Sequence, residues 1–126
     1  MRYNKIRKES MTGHHEIDIY KTNSGKEPYT EWEESLDSSV LIRIDARLTR
    51  IEKNGNLGDC EPVGDGVFEL KFDFGAGYRV YFGYKTNKNL VLLLGGYKKG
   101  QQKNIDKAKE YWREYLSLKK GKNEKA

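Results

Sequence analysis

The stretch from Val67 to Leu94 most constrains how this chain can fold. Between Val67 and Phe74 the side chains alternate: Phe68, Leu70, Phe72 and Phe74 fall on one side, and Glu69, Lys71 and Asp73 on the other. A period of two is the repeat of a strand with one face toward a core. Gly75-Ala76-Gly77 then supplies a tight turn, so the next strand must run antiparallel to the first. In Tyr78 to Tyr84, Val80 and Phe82 face the core, while Arg79 and Tyr81 face away. A second turn at Asn87-Lys88-Asn89 leads into Leu90 to Leu94, apolar throughout, as expected of a central strand buried on both faces. Such a meander carries an apolar face that another layer must cover.

The flanking sequence supplies that layer. Glu16 to Tyr20 alternates and reads as a first strand, punctuated by Asn23-Ser24-Gly25. Pro28 suits the first position of a short helix with Glu31, Glu33 and Glu34 in its opening turns, ending near Leu36. The acidic stretch Glu31 to Asp37 reads as a solvated face. Asp37-Ser38-Ser39 offers capping oxygens to a second helix. There Leu41, Ile44, Leu48 and Ile51 form an apolar stripe, and Arg43, Arg47 and Arg50 a basic one. Asn54-Gly55 is a left-handed stop. Asn56 to Gly66 reads as a glycine-rich acidic loop and Gly95 to Gly100 as a glycine and lysine loop. A last helix carries Ile105, Ala108, Trp112 and Tyr115 on one stripe. The expected fold class is α+β: a mainly antiparallel sheet, two N-terminal helices packed on one face, and a C-terminal helix. The opposite face is expected to be polar, basic and aromatic. Residues 1–13 read as a flexible arm, 14–118 as a single domain, and 119–126 as a disordered basic tail.

Composition narrows the classes. A chain of 126 residues fits one domain. Charged residues make up 34% and hydrophobic ones 36%, but the apolar positions are clustered, so disorder is not implied. A net charge of +5 favours anionic partners, and nine tyrosines suit a surface that contacts something. A lone cysteine, Cys60, excludes an internal disulfide and a cysteine-based zinc site. Its acidic neighbours Asp59 and Glu61 would raise its pKa, so a reactive thiolate is not expected. Adjacent histidines, His14 and His15, point to opposite faces of a strand, and no carboxylate–histidine cluster has metal spacing. No phosphate-binding glycine motif precedes a helix. No cofactor and no metal are therefore expected. The N-terminus lacks an apolar signal region and the longest apolar run cannot span a membrane, so a cytoplasmic protein without membrane contact is expected.

The strand pair places Lys71, Arg79 and Tyr81 on one face, with neighbouring positions roughly 5–8 Å apart. Lys98 and Lys99, after the central strand, could reach the same face, and Arg43, Arg47 and Arg50 add a second basic stripe. Cutting RNA without a metal requires a base at the 2′-OH, cations on the phosphorane, an acid for the 5′-oxygen and in-line attack. Fixed cations are usually the largest contribution. Arginine grips phosphate at two points. A lysine crowded by cations has a lowered pKa and could act as base or acid. Tyrosine could stack a base or position a hydroxyl. The same alternation also serves a nucleic-acid-binding face without chemistry, or a merely solvated one.

Two stretches carry a resemblance. Gly64 to Phe82, and Leu92 to Gln102 followed by Asn104 to Ala108 and Trp112, resemble the addiction-module killer proteins of the RelE/ParE superfamily, including its HigB-like branch. Asn54 to Asp59 and Trp32 match as well. The resemblance covers roughly residues 16–116. It implies a RelE/ParE-like fold and the toxin of a type II toxin–antitoxin system. It further implies a metal-independent, ribosome-dependent endoribonuclease that cleaves mRNA. The ParE branch instead inhibits DNA gyrase by binding. A cognate antitoxin, often a helix-turn-helix DNA-binding protein, is the implied partner, beside mRNA and the ribosome. Carried over by position, Arg79, Lys71, Lys98 and Lys99 are catalytic candidates, to which the strand face adds Tyr81; Arg43, Arg47 and Arg50 of the basic stripe and Gln102 are the RNA-binding candidates. Tyr97 stands where the family pattern has an aspartate, and the C-terminal half holds no histidine, so no imidazole scheme applies.

Overall fold

In the computed structural model, which describes residues 15–125, the chain is an α+β fold with a five-stranded mixed sheet and three helices. The elements are β1 (Glu16–Ile19), α1 (Pro28–Glu34), α2 (Ser38–Asn54), β2 (Cys60–Gly64), β3 (Val67–Phe72), β4 (Tyr78–Thr86), β5 (Asn89–Tyr97) and α3 (Gln101–Lys125). The strand order is β1-β5-β4-β3-β2. β1 runs parallel to β5, and the other neighbours are antiparallel.

The signals at Pro28 and Gly55 and the apolar stripe of α2 hold. Pro28 opens α1 with Glu31 in the first turn. α2 stops at Gly55, whose φ of 73° is left-handed and whose N–H donates to the Ile51 carbonyl. Ile44, Leu48 and Ile51 are fully buried against Leu70, Val80 and Phe82, so α2 covers one face of the sheet.

Five expectations need correction. Asp37 is the N-cap of α2, but its side chain makes no capping hydrogen bond; its carbonyl accepts from Val40 and Leu41. Glu33 is buried, so the acidic stretch of α1 is not wholly solvated. The stretch read as a loop from Asn56 contains β2, an edge strand paired with β3, whose Pro62 and Gly64 flank an irregularity in register. Edge strands tolerate residues that central strands do not, so their pattern is weak. Gly95 and Gly96, read as loop, lie within β5. Finally, α3 runs to Lys125, through the stretch read as a disordered tail from Lys119. The expected arm at residues 1–13, and His14, lie outside the described residues.

The largest correction concerns the second face. It is not an open polar surface, because α3 lies across it. Ile105, Ala108 and Trp112 close over Val67, Tyr81, Val91 and Leu93 in a second buried cluster. Gly83 makes this possible: a Cβ there would lie 2.7 Å from the Trp112 ring. Gly95 and Gly96 act as a pair. Successive strand residues point to opposite faces. A Cβ on Gly95 would collide with Trp32 of α1, and one on Gly96 with Asn104 of α3. The dipeptide lets both helical layers touch the same strand.

Candidate nucleic-acid interface

The register brings the catalytic candidates together as expected on β3 and β4. Lys71 is directly opposite Arg79, and Glu69 opposite Tyr81. Their surroundings differ from those of an open face. Tyr81 is fully buried and donates its hydroxyl proton to Glu69 Oε2 at 2.9 Å. Gln101, in the first turn of α3, donates to the same oxygen at 2.7 Å. Arg79 is 4% exposed; its Nε lies 3.9 Å from Glu69 Oε2 and its Nη1 3.5 Å from Asp73 Oδ1. Nη1 also donates to the Tyr78 carbonyl at 3.1 Å. The guanidinium is thus set between a fully buried carboxylate and an exposed one. Such a charge inside the protein persists when paired and is costly when stripped of its partner. Burial, then donation to Glu69, raises the Tyr81 hydroxyl well above its ordinary pKa. That ring is sealed beneath α3 and does not offer a stacking surface.

Lys71 is not a lysine crowded only by cations. Its Nζ pairs with Glu61 Oε1 at 2.8 Å, on the unforeseen β2. That bond raises its pKa, so Lys71 stays cationic rather than becoming the crowded, depressed lysine that could take a proton. Cys60 also sits on β2, and its thiol is pushed up, chiefly by burial and then by Asp59 and Glu61 against the lowering effect of Arg47. The direction agrees with the sequence reading; the main cause is burial.

The arginines of α2 separate into two kinds. Arg47 donates to three backbone carbonyls: Leu57 and Asp59 of the α2–β2 connection at 2.8 and 2.6 Å, and Lys71 of β3 at 2.6 Å. It also lies over the Phe72 ring, 4.5 Å from the centroid. Its fork is committed to holding a loop against a strand. Arg43 and Arg50 are exposed; Arg43 lies 3.7 Å over the Phe74 ring. Both line an open groove of 460 Å³ together with Lys71, Asp73 and Phe74. A second groove of 460 Å³ adjoins it through Asp73 and Phe74 and runs along Gly75-Ala76-Gly77 to Lys98. The Lys98 amide, donating to the Gly77 carbonyl at 2.8 Å, fixes the loop that carries Lys98 and Lys99 against the β3–β4 turn. Both lysines are exposed, as is Gln102, whose amide donates to Asp106 on its own helix. Gln102 therefore stands apart from the grooves' walls, whereas its neighbour Gln101 joins the buried network.

Sequence reasoning missed Glu69, Glu61 and Gln101. Glu69 was visible as an outward position on an alternating strand. What alternation could not show is that a helix would bury it. Among the described residues, no group of three or more His, Cys, Asp or Glu could hold a metal ion, and no helix is long and apolar enough to cross a membrane.

A mixed sheet clasped between helices, with cations gathered at one hairpin end, defines a small α+β protein with a cationic edge. Residues 31–113 match the family described as Phage derived protein Gp49-like (DUF891), and the chain belongs to that family, a toxin-like family of type II toxin–antitoxin systems. The chain is also similar to an uncharacterized protein of Haemophilus influenzae (strain ATCC 51907 / DSM 11121 / KW20 / Rd). The two are 46% identical over 67 residues, covering 53% of this chain and 67% of that one.

Proposed function

We propose that this chain is the toxin of a type II toxin–antitoxin pair and acts as a metal-independent, ribosome-dependent mRNA endoribonuclease. The observation supporting this reading is the convergence of cations from three elements on the β3–β4 turn. Arg43 and Arg50 come from α2, Lys71 from β3, and Lys98 from the β5–α3 loop; two adjoining grooves join them. A strand backbone in those grooves would meet positive charge on both sides, and Arg79, held by Glu69 and Asp73, stands behind as a preorganised guanidinium for the charge growing on a phosphorane. Lys71, kept cationic by Glu61, serves charge stabilisation rather than proton abstraction. Lys98 and Lys99, exposed on a loop pinned to Gly77, are the candidates for following the leaving group. The partner is a cognate antitoxin of helix-turn-helix type, with an acidic segment that folds across the basic grooves.

Arg79→Ala alone would be a poor test, because it strips Glu69 of its buried cation and threatens folding. The better comparison sets Lys98→Ala/Lys99→Ala and Arg79→Lys beside the native chain. Ends of messages are mapped by primer extension after a brief pulse of expression, and thermal melts are recorded for each purified variant. New ends in register with codons, lost in the double variant at an unchanged melting temperature, are expected. Growth arrest with unchanged message ends would refute the nuclease reading and point to gyrase.

A further inference from the structure

A row of aromatic rings crosses the edge of the α1 face beside these cations. Trp32 of α1 meets Tyr97 at 6.2 Å between centroids, Tyr97 meets Tyr78 at 5.6 Å, and Tyr78 meets Phe74 at 5.1 Å. Arg43 closes the far end, 3.7 Å over Phe74. These spacings are those of mutually packed rings. Three of the rings are half-buried, but Tyr97 is 37% exposed as the last residue of β5. Its position results from a bulge. Register across β4 and β5 shifts between Tyr81 and Phe82, so that Phe82 pairs with Leu92 and Tyr81 with Leu94. Leu93 is the extra residue, and both Leu93 and Leu94 pack toward α3. A shift of one residue exchanges the faces of everything after it. Gly95 and Tyr97 therefore emerge on the α1 side, against Trp32, and Lys98 follows immediately at the groove of the β3–β4 turn.

We infer that Tyr97 is the stacking platform for an unpaired base of single-stranded RNA, with Lys98 and Arg43 as cations on either side of the row. The inference rests on the nuclease reading and deepens it: it assigns base capture to the α1 edge and phosphate contact to the turn. An exposed aromatic ring on a fixed backbone stacks any base, and flanking cations hold the phosphates, which is the general arrangement for unpaired strands. The small residues Gly75, Ala76 and Gly77 line the groove at Lys98, the residue that follows Tyr97, and leave room there for the RNA backbone.

The test titrates the full chain against a short unpaired oligoribonucleotide carrying one 2-aminopurine, reading both affinity and fluorescence quenching. Tyr97→Ala should bind about tenfold more weakly, the loss of one stacked base, and abolish quenching. Tyr97→Trp should restore both. Lys98→Ala should weaken binding and flatten its salt dependence, while quenching at saturation persists. Unchanged affinity and quenching in Tyr97→Ala, with Lys98→Ala weakened, would overturn the stacking platform and leave the RNA reading standing. A native chain that binds no oligoribonucleotide would overturn the platform together with that reading. Tyr97 also packs on Trp32 and Tyr78, so Tyr97→Ala is expected to melt somewhat lower while remaining folded at the titration temperature, which a thermal melt of each variant checks.

Discussion

The two faces of the sheet are built on different physics. Toward α1 and α2 the interface is apolar: Ile44, Leu48 and Ile51 close on Leu70, Val80 and Phe82, and cations sit at its rim, over Phe72 and Phe74. Toward α3 the interface is divided. At one end Trp112 lies on Gly83 and stacks on Tyr115. At the other, Gln101, Tyr81 and Arg79 surround the buried carboxylate of Glu69, whose Oε1 has no hydrogen-bond partner among the described residues. The first face holds the fold by excluding water; the second spends some of that stability on a charged network close to the cationic grooves.

The sharpest test of the contrast truncates the first face. Phe82→Ala removes a fully buried ring packed on Phe68 and Tyr84, and should cost about 3–5 kcal/mol in urea unfolding. A loss below about 1 kcal/mol would mean this face is not the main source of stability. On the second face, Glu69→Ala leaves Arg79 without its buried anion and should cost about 3 kcal/mol. If the cost were near zero, the network would not be a paired charge but a hydrated one.

Gly95→Ala links the two faces, since its Cβ would enter the Trp32 ring; about 2 kcal/mol is expected for overpacking, read from the melting curve. A neutral Gly95→Ala would show that α1 can shift off the sheet. The smallest effect lies at high pH. Burial and donation to Glu69 raise the pKa of Tyr81 above 10.0, and burial and donation to Glu114 do the same for Tyr20. A raised folded pKa contributes stability that is complete below the unfolded value and is lost as pH climbs toward the folded one. The native melting temperature should therefore fall above pH 10, and Tyr81→Phe should fall less steeply. Parallel curves would remove Tyr81 from the account.

Arg43 and Arg47 show how far the sequence carries. Spacing placed both on one helical face, yet Arg47 bridges Leu57, Asp59 and Lys71 carbonyls whereas Arg43 stays exposed over Phe74. Helical periodicity reports direction, not what arrives there from elsewhere in the chain. Glu61 makes the same point, because its strand has too weak a pattern to read, and without β2 the state of Lys71 is misjudged.

By itself the sequence determined the β3–β4–β5 meander, the apolar stripe of α2 and its stop at Gly55, and the shared face of Lys71, Arg79 and Tyr81. All of these follow from local alternation, helical period or a residue's own backbone preference. Tertiary structure decided that α3 would seal Tyr81, that Gly95 and Gly96 would admit a helix on each side, and that a bulge at Leu93 would bring Tyr97 out beside Trp32. The reason is that burial, and the phase of a strand beyond a bulge, depend on what packs across the sheet, and no short window of sequence contains that neighbour.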